Sequence, residues 1–204
     1  MNVCVIVGGA AGMMAAITAA DCGHRVTLLE RQARVGRKLM ATGNGRCNLT
    51  NRRAAPQHYH GEDRDFCTYA LSAFDVDATL DWFAAHGLVT MAEESGRIYP
   101  YSNMAGSVLD VLRYALERPE IDLRAGCTVT RIRRRGDGFT VESDLGIFSA
   151  DKVVLCAGGA AGSKVGGVMD GSVCRLFCDG FFLTACAWSF AAATACVVRF
   201  CRQF

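Results

Sequence analysis

The stretch from Val3 to Glu30, VCVIVGGAAGMMAAITAADCGHRVTLLE, constrains the fold of this chain more than any other. It presents an apolar run, a glycine turn, an alanine-rich segment, a second apolar run and a terminal acid. A βαβ unit that binds a dinucleotide needs those parts in that order. The first strand, Val3 to Val7, stops at Gly8 and Gly9, where the backbone turns and can approach a phosphate closely. Gly12 and its neighbour Ala11 let the following helix sit tightly on the strand. That helix's N-terminus offers free N–H groups and a positive dipole end to a pyrophosphate. Glu30 lies 18 residues after Gly12, at the end of the second strand, where a carboxylate can accept ribose hydroxyls.

The glycine pattern departs from G-x-G-x-x-G at one place. The frame reads Val7-Gly8-Gly9-Ala10-Ala11-Gly12, so either Val7 holds the position of the first glycine or one glycine has been lost. A β-branched residue is stiff and disfavours the turn wanted there. Two blander readings compete: a signal peptide, and a buried βαβ unit without a ligand. No Lys or Arg precedes the apolar run, which argues against the first. The coincidence of glycine spacing and terminal acid argues against the second.

A length of 204 residues suits about one domain with a real core. The net charge of +2 demands neither nucleic acid nor an anionic membrane. Among 11 cysteines there is no C-x-x-C pair, and no metal site is expected. Cys4, Cys22, Cys67, Cys127 and Cys156 read as small buried hydrophobes in a reducing cytoplasm.

After Glu30 the chain runs RQARVGRKLMATGNGRCNLTN to Asn51. Arg31, Arg34, Arg37 and Lys38 place four cations beside the expected pyrophosphate. Thr42 to Asn48 then form a glycine-rich turn crowded with hydrogen-bonding side chains, suited to lie against a flat polar ring. A solvated basic loop would carry the same residues.

The block GRKLMATGNGRCNLTN, downstream of GGAAG…LLE, resembles the BaiN-like (aminoacetone-oxidase-like) family of NAD(P)/FAD-dependent oxidoreductases. Two later blocks fit the same family: GRIYPYSNMAGSVLDVLR from Gly96, and VVLCAGGAAGSKVGG from Val153. The likeness covers about five-sixths of the chain and implies an α/β fold. That fold is a Rossmann-like FAD-binding domain, a parallel sheet plus an antiparallel β-meander. The resemblance implies FAD, with NAD(P)H as reductant, hydride transfer to an electron-poor double bond, and a small-molecule substrate, steroid-like enones being one class. The cofactor residues it implies are Gly8, Gly9, Ala11, Gly12, Glu30, Arg31, Arg37, Lys38, Asn44, Gly45, Arg46, Cys47, Val129, Ala157, Gly158 and Gly159. Val129 would meet the adenine through backbone bonds. Cys47 is a thiol near the ring but lacks a partner cysteine and reads as packing. No catalytic acid or base is named. A fumarate-reductase-like flavoprotein would share the first motif but not the GNGRC block.

The FAD-binding domain is expected over 1–171, with a helical insertion at about 52–103 and the meander at about 127–150. Helices are expected near Arg64 to Phe74, from an Asp75 or Asp77 cap to Gly87, and over Ser107 to Glu117. Gly136-Asp137-Gly138 and Gly146 punctuate three hairpin strands, and Lys152 to Cys156 returns the chain to the parallel sheet beside the first strand. His58, His60 and His86 read as surface residues, and Trp82 with Phe83 as core. Arg131, Arg133, Arg134 and Arg135 lack interleaved aromatics and read as a solvated edge rather than a nucleic-acid surface.

From residue 172 the composition changes abruptly. The last 33 residues hold five cysteines and six phenylalanines, and Gly180 to Val198 carries no formal charge. That span has the length of a membrane anchor but only one Leu and no Ile, so membrane insertion is disfavoured. The tail reads as the product of a shifted reading frame on a truncated chain. A non-catalytic remnant lacking the substrate domain is the competing reading.

Overall fold

The computed structural model describes residues 1–59, 67–158 and 183–184. Its centre is a five-stranded parallel sheet built on the opening stretch. Strand β1 (Asn2–Ile6) is the middle strand and is buried from Val3 onward. Its run of Val, Cys, Val and Ile suits a strand covered on both faces. Helix α1 (Ala10–Asp21) follows, and β2 (Arg25–Glu30) pairs parallel with β1, Val3 opposite Val26 and Ile6 opposite Leu29.

Every residue of α1 from Ala11 to Ala20 is buried. An alanine-rich helix with no polar stripe is stable only when enclosed. Here it lies between the sheet and helix α4 (Ala105–Leu116), whose Val108, Leu109, Leu112 and Leu116 form the expected apolar face. Full burial of a side chain such as Leu112 contributes about 1.5–3 kcal/mol.

The segment after β2 contains features with no regular sequence period. Two tight turns over Leu39–Gly45 lead to a small antiparallel sheet of β3 (Thr50–Asn51), β4 (Thr90–Ala92) and β5 (Arg97–Pro100), ordered β3-β5-β4. Between β3 and β4 lie helices α2 (Thr68–Ala73) and α3 (Val76–Ala85). The first covers Thr68–Ala73 of the expected Arg64 to Phe74 helix, and residues 60–66, including His60 and the expected start, are outside the described residues. The second is capped as expected, Asp75 Oδ1 accepting from Ala78 N at 2.8 Å. Phe83 is fully buried. Trp82 is half-buried, its ring stacked on exposed His86 at 3.9 Å.

Strand β6 (Ile121–Ala125) joins the parallel sheet on the far side of β2. The meander of β7 (Val129–Arg135), β8 (Gly138–Ser143) and β9 (Gly146–Ala150) follows as predicted. Phe139, Val141 and Ala150 pack on Cys4, Ile6, Leu29, Val153 and Leu155, so the meander covers the sheet face opposite α1. Strand β10 (Lys152–Leu155) then pairs parallel with β1, and β11 (Leu183–Thr184) with β10.

One cysteine departs from expectation. Cys22 is exposed, because it caps the C-terminus of α1 where the helix emerges from its enclosure. Cys4, Cys67, Cys127 and Cys156 are buried. Burial, with Cys127 nearby, pushes the Cys4 thiol up to about 12, so it stays protonated. Arg131, Arg133, Arg134 and Arg135 are exposed, Arg133 pairing with Glu142 across the hairpin at 2.9 Å. No helix among the described residues is long and apolar enough to cross a membrane. The expected tail, 172–204, lies outside the described residues apart from β11.

Candidate cofactor site

The sheet order places the site. The chain leaves β1 toward β2 on one side and returns beside it as β10 on the other. A crevice therefore opens at the carboxyl end of β1, where open α/β sheets bind ligands. The glycine turn, the end of β2 and the turn after β10 all meet there.

Val7 is held in a left-handed backbone conformation, φ 79°, while its N–H donates to Leu29 O at 2.8 Å. The residue at the first-glycine position thus takes the conformation for which glycine is suited, at a cost of roughly 1–2 kcal/mol for a side-chain-bearing residue. Val7→Gly is expected to stabilise the protein by about 1 kcal/mol, since relief of strain outweighs glycine's extra chain entropy. Urea midpoints at unchanged slope check this. A lower midpoint would show that packing of the half-buried valine against the meander dominates.

The other three glycines serve different ends. A Cβ on Gly8 would lie 2.5 Å from Val35 Cγ1, so this position packs against the loop after β2. A Cβ on Gly12 would lie 1.8 Å from the carbonyl oxygen of Val7, a backbone atom that cannot move aside. Gly12 is what lets α1 start directly on the end of β1. A Cβ on Gly9 would meet nothing within 4 Å. Gly9 is also the N-cap of α1, and no side chain caps the helix. The first-turn N–H groups of Ala10, Ala11 and Gly12 have no intrahelical acceptor by helix geometry. Among the described residues, open space and donors without an acceptor coincide at Gly9, which is the arrangement a phosphate group fits.

Glu30 is buried, at 5% exposure, at the end of β2. Its Oε2 accepts from Gly8 N and its Oε1 from Gln32 N, each at 2.7 Å. These short bonds to a carboxylate are stronger than neutral ones. The acid expected for a ribose therefore also braces the glycine turn, and its oxygens keep lone pairs for further donors. Cys127 N donates to Glu30 O and Gly126 N to Gln32 O, both at 2.9 Å, which brings the approach to Val129 past the same acid. Val129 is half-buried beside the sheet, next to a bulge in β7.

The cations distribute unevenly. Arg31, Arg34 and Arg37 are exposed, and Arg37 Nη1 donates to Gln32 Oε1 at 3.1 Å. Lys38 is half-buried. Gly43, Asn44 and Gly45 have φ of 56°, 56° and 83° and are exposed, so the turn presents backbone outward. Cys47, at φ 58°, is buried, and burial raises its thiol pKa despite a hydrogen bond with Thr42 that lowers it. It is a packed thiol. Arg46 points back into the fold, toward β4, β5 and the start of α4.

On the other side of β1, Cys156 N donates to Ile6 O at 2.9 Å, continuing the pairing by one residue. Ala157 packs on the meander core and Gly158 turns at φ 73°. Gly159 lies outside the described residues. Among the described residues no group of His, Cys, Asp and Glu could hold a metal ion.

Gln32 and Val35 were not expected at the site. Each acts through its fold position, Gln32 by its backbone N–H and Val35 as the wall of Gly8, and neither residue type signals that role.

Residues 1–176 match the family described as HI0933-like protein Rossmann domain. The 3-dehydro-bile acid delta(4,6)-reductase of Clostridium scindens is 42% identical over 170 residues, 82% of this chain and 41% of that protein. The ribosomal RNA dihydrouridine synthase of Escherichia coli is 30% identical over 156 residues, 76% of this chain and 39% of that protein. The chain thus spans about two-fifths of the length of these curated relatives. A flavocytochrome c3 fumarate reductase shares the fold at TM-score 0.53 and 21% identity, covering 78% of this chain and 34% of that one. The THI4 protein of Thermovibrio ammonificans does so at TM-score 0.53 and 12% identity, covering 80% and 60%. The chain belongs to the HI0933-like Rossmann family, with the Rossmann-like architecture of FAD-binding oxidoreductases.

Proposed function

We propose that this chain is the FAD-binding part of a flavin-dependent reductase that takes hydride from NAD(P)H and acts on a small organic substrate. The observation that carries this reading is the meeting, at one end of β1, of an open Gly9 turn, a first turn of α1 whose N–H groups meet no acceptor among the described residues, and a buried Glu30. Gly9 and the N–H groups of Ala10 to Gly12 hold the pyrophosphate. Glu30 takes the ribose, and the backbone at Val129 the adenine. Arg31, Arg37 and Lys38 screen the phosphate charge. Asn44, Gly45, Ala157 and Gly158 lie along the flavin, which when bound supplies hydride acceptance and delivery to an electron-poor double bond. The chain's own residues bind and orient. The more similar relative, named as a bile-acid reductase, supports a small substrate over RNA.

Titration of the purified chain with FAD tests this. A one-to-one flavin spectrum bleached by NAD(P)H is expected. Gly9→Ala is expected to weaken FAD binding at least about tenfold with an unchanged melting temperature, because its methyl meets only the space kept for phosphate. The strain at Val7 favours a second reading, a non-catalytic module that holds FAD poorly. A colourless chain that turns yellow only as Val7→Gly supports that one.

A further inference from the structure

We infer that Arg46 is a positioning residue that clamps the 42–48 turn onto the small antiparallel sheet, rather than a residue that contacts the cofactor. The inference rests on the flavin reading only in what the turn is held ready for. Three independent contacts fix the guanidinium. Nε donates to Asn103 Oδ1 at 2.8 Å. Nη2 donates to Glu93 Oε1 at 2.7 Å in an ion pair whose side chains are each one-third exposed. The guanidinium plane lies over the Tyr99 ring, 3.9 Å from its centroid, and Tyr99 is itself buried. These partners come from β5, from the residue after β4, and from the residue two before α4. One side chain therefore ties the turn to three separate elements.

The turn needs such a tie. Gly43, Asn44, Gly45 and Cys47 all have positive φ, and two of them are not glycine. Left-handed conformations in Asn and Cys persist only where surrounding structure over-determines them. Around Arg46 the turn's own backbone bonds are Arg46 N to Gly43 O at 3.2 Å and Cys47 N to Thr42 O at 3.1 Å, with the Thr42 side chain bonding Leu39 O at 2.6 Å and Cys47. A planar, always-charged fork that can stack and donate at once matches this task, and lysine does not. Among bonds to described residues the fork's Nε and one N–H of Nη2 are committed to the clamp, which leaves the two N–H groups of Nη1 and the second of Nη2.

The clamp makes a prediction that direct contact does not. Glu93 and Asn103 are bonded to the Arg46 fork and are not among the expected cofactor residues, so breaking the clamp there should reproduce the loss of Arg46. Amide hydrogen exchange on the cofactor-free protein reads the turn itself. Arg46→Lys, Glu93→Gln and Asn103→Ala are each expected to speed exchange of the 43–48 amides about tenfold while α1 and β2 stay protected. FAD affinity is expected to fall together with it, by about tenfold in each variant. Arg46→Lys with Glu93→Gln should be no worse than either alone, the non-additivity of a shared contact. The inference is overturned if exchange at 43–48 is unchanged in Glu93→Gln and Asn103→Ala. It is equally overturned if those two hold FAD like the parent while Arg46→Lys does not, since Arg46 then acts by direct contact. A parent chain that takes up no FAD overturns the flavin reading, and the exchange measurement still decides the clamp.

Discussion

Gly12→Ala is expected to cost about 3 kcal/mol of stability and to abolish flavin binding, since its methyl would make the closest clash of any among the described glycines. The added Cβ would sit 1.8 Å from the Val7 carbonyl oxygen, with Cys156 Cβ 3.5 Å away on the other side. Neither neighbour is the far end of a flexible side chain. Relief requires α1 to move off β1, and α1 is buried from Ala11 to Ala20 against the sheet and α4. Against a typical total of about 5–15 kcal/mol, that loss leaves a marginal protein. Urea denaturation checks the magnitude. The contrast with Gly9→Ala is the informative part: two alanines three residues apart, one that disrupts the fold and one that touches only ligand. Equal destabilisation by both would contradict the geometry at Gly9.

Glu30→Gln is expected to cost about 2 kcal/mol in the absence of any ligand. Both carboxylate oxygens accept from backbone N–H groups, Gly8 at one and Gln32 at the other. An amide offers one oxygen and one NH2, so one of those N–H groups must face another donor. Both lie where the chain is buried or partly buried, and an unmet donor there carries its full desolvation penalty. A side chain serving only a ribose would show no stability loss without FAD. Comparing the urea midpoint of the free protein with its FAD affinity separates the two roles. An unchanged midpoint would show that water or a shifted Gly8 meets the need.

Much of this arrangement was readable in the residues. Strand β1, the glycine turn, α1, β2 and the meander all carry a clear period or a turn signal, and their places in the sheet followed from the β-α-β order. Val7 was legible as an exception to the glycine pattern, and it takes a positive φ of 79°. The small β3-β5-β4 sheet was not legible, because strands of two to four residues show no alternation. Cys22 was misread because cysteine is usually buried, whereas position along a helix decided its exposure. The role of Arg46 was hidden for a different reason. Its partners Glu93 and Asn103 lie 47 and 57 residues away, and no local pattern reports a contact of that reach.

The pairing of β1 with β10 also sets a timetable for the newborn chain. Val3 must find Lys152, and Ile6 must find Leu155. At about 5–20 residues per second, synthesis leaves one flank of the middle strand waiting for roughly 10–30 seconds. During that interval β1 and β2 can join locally, but an apolar edge stays open to any passing strand. The ribosome therefore finishes most of this domain before its centre can close. Protease sensitivity of β1 in nascent chains stalled before residue 150, lost in chains stalled well past β10, is the signature to look for.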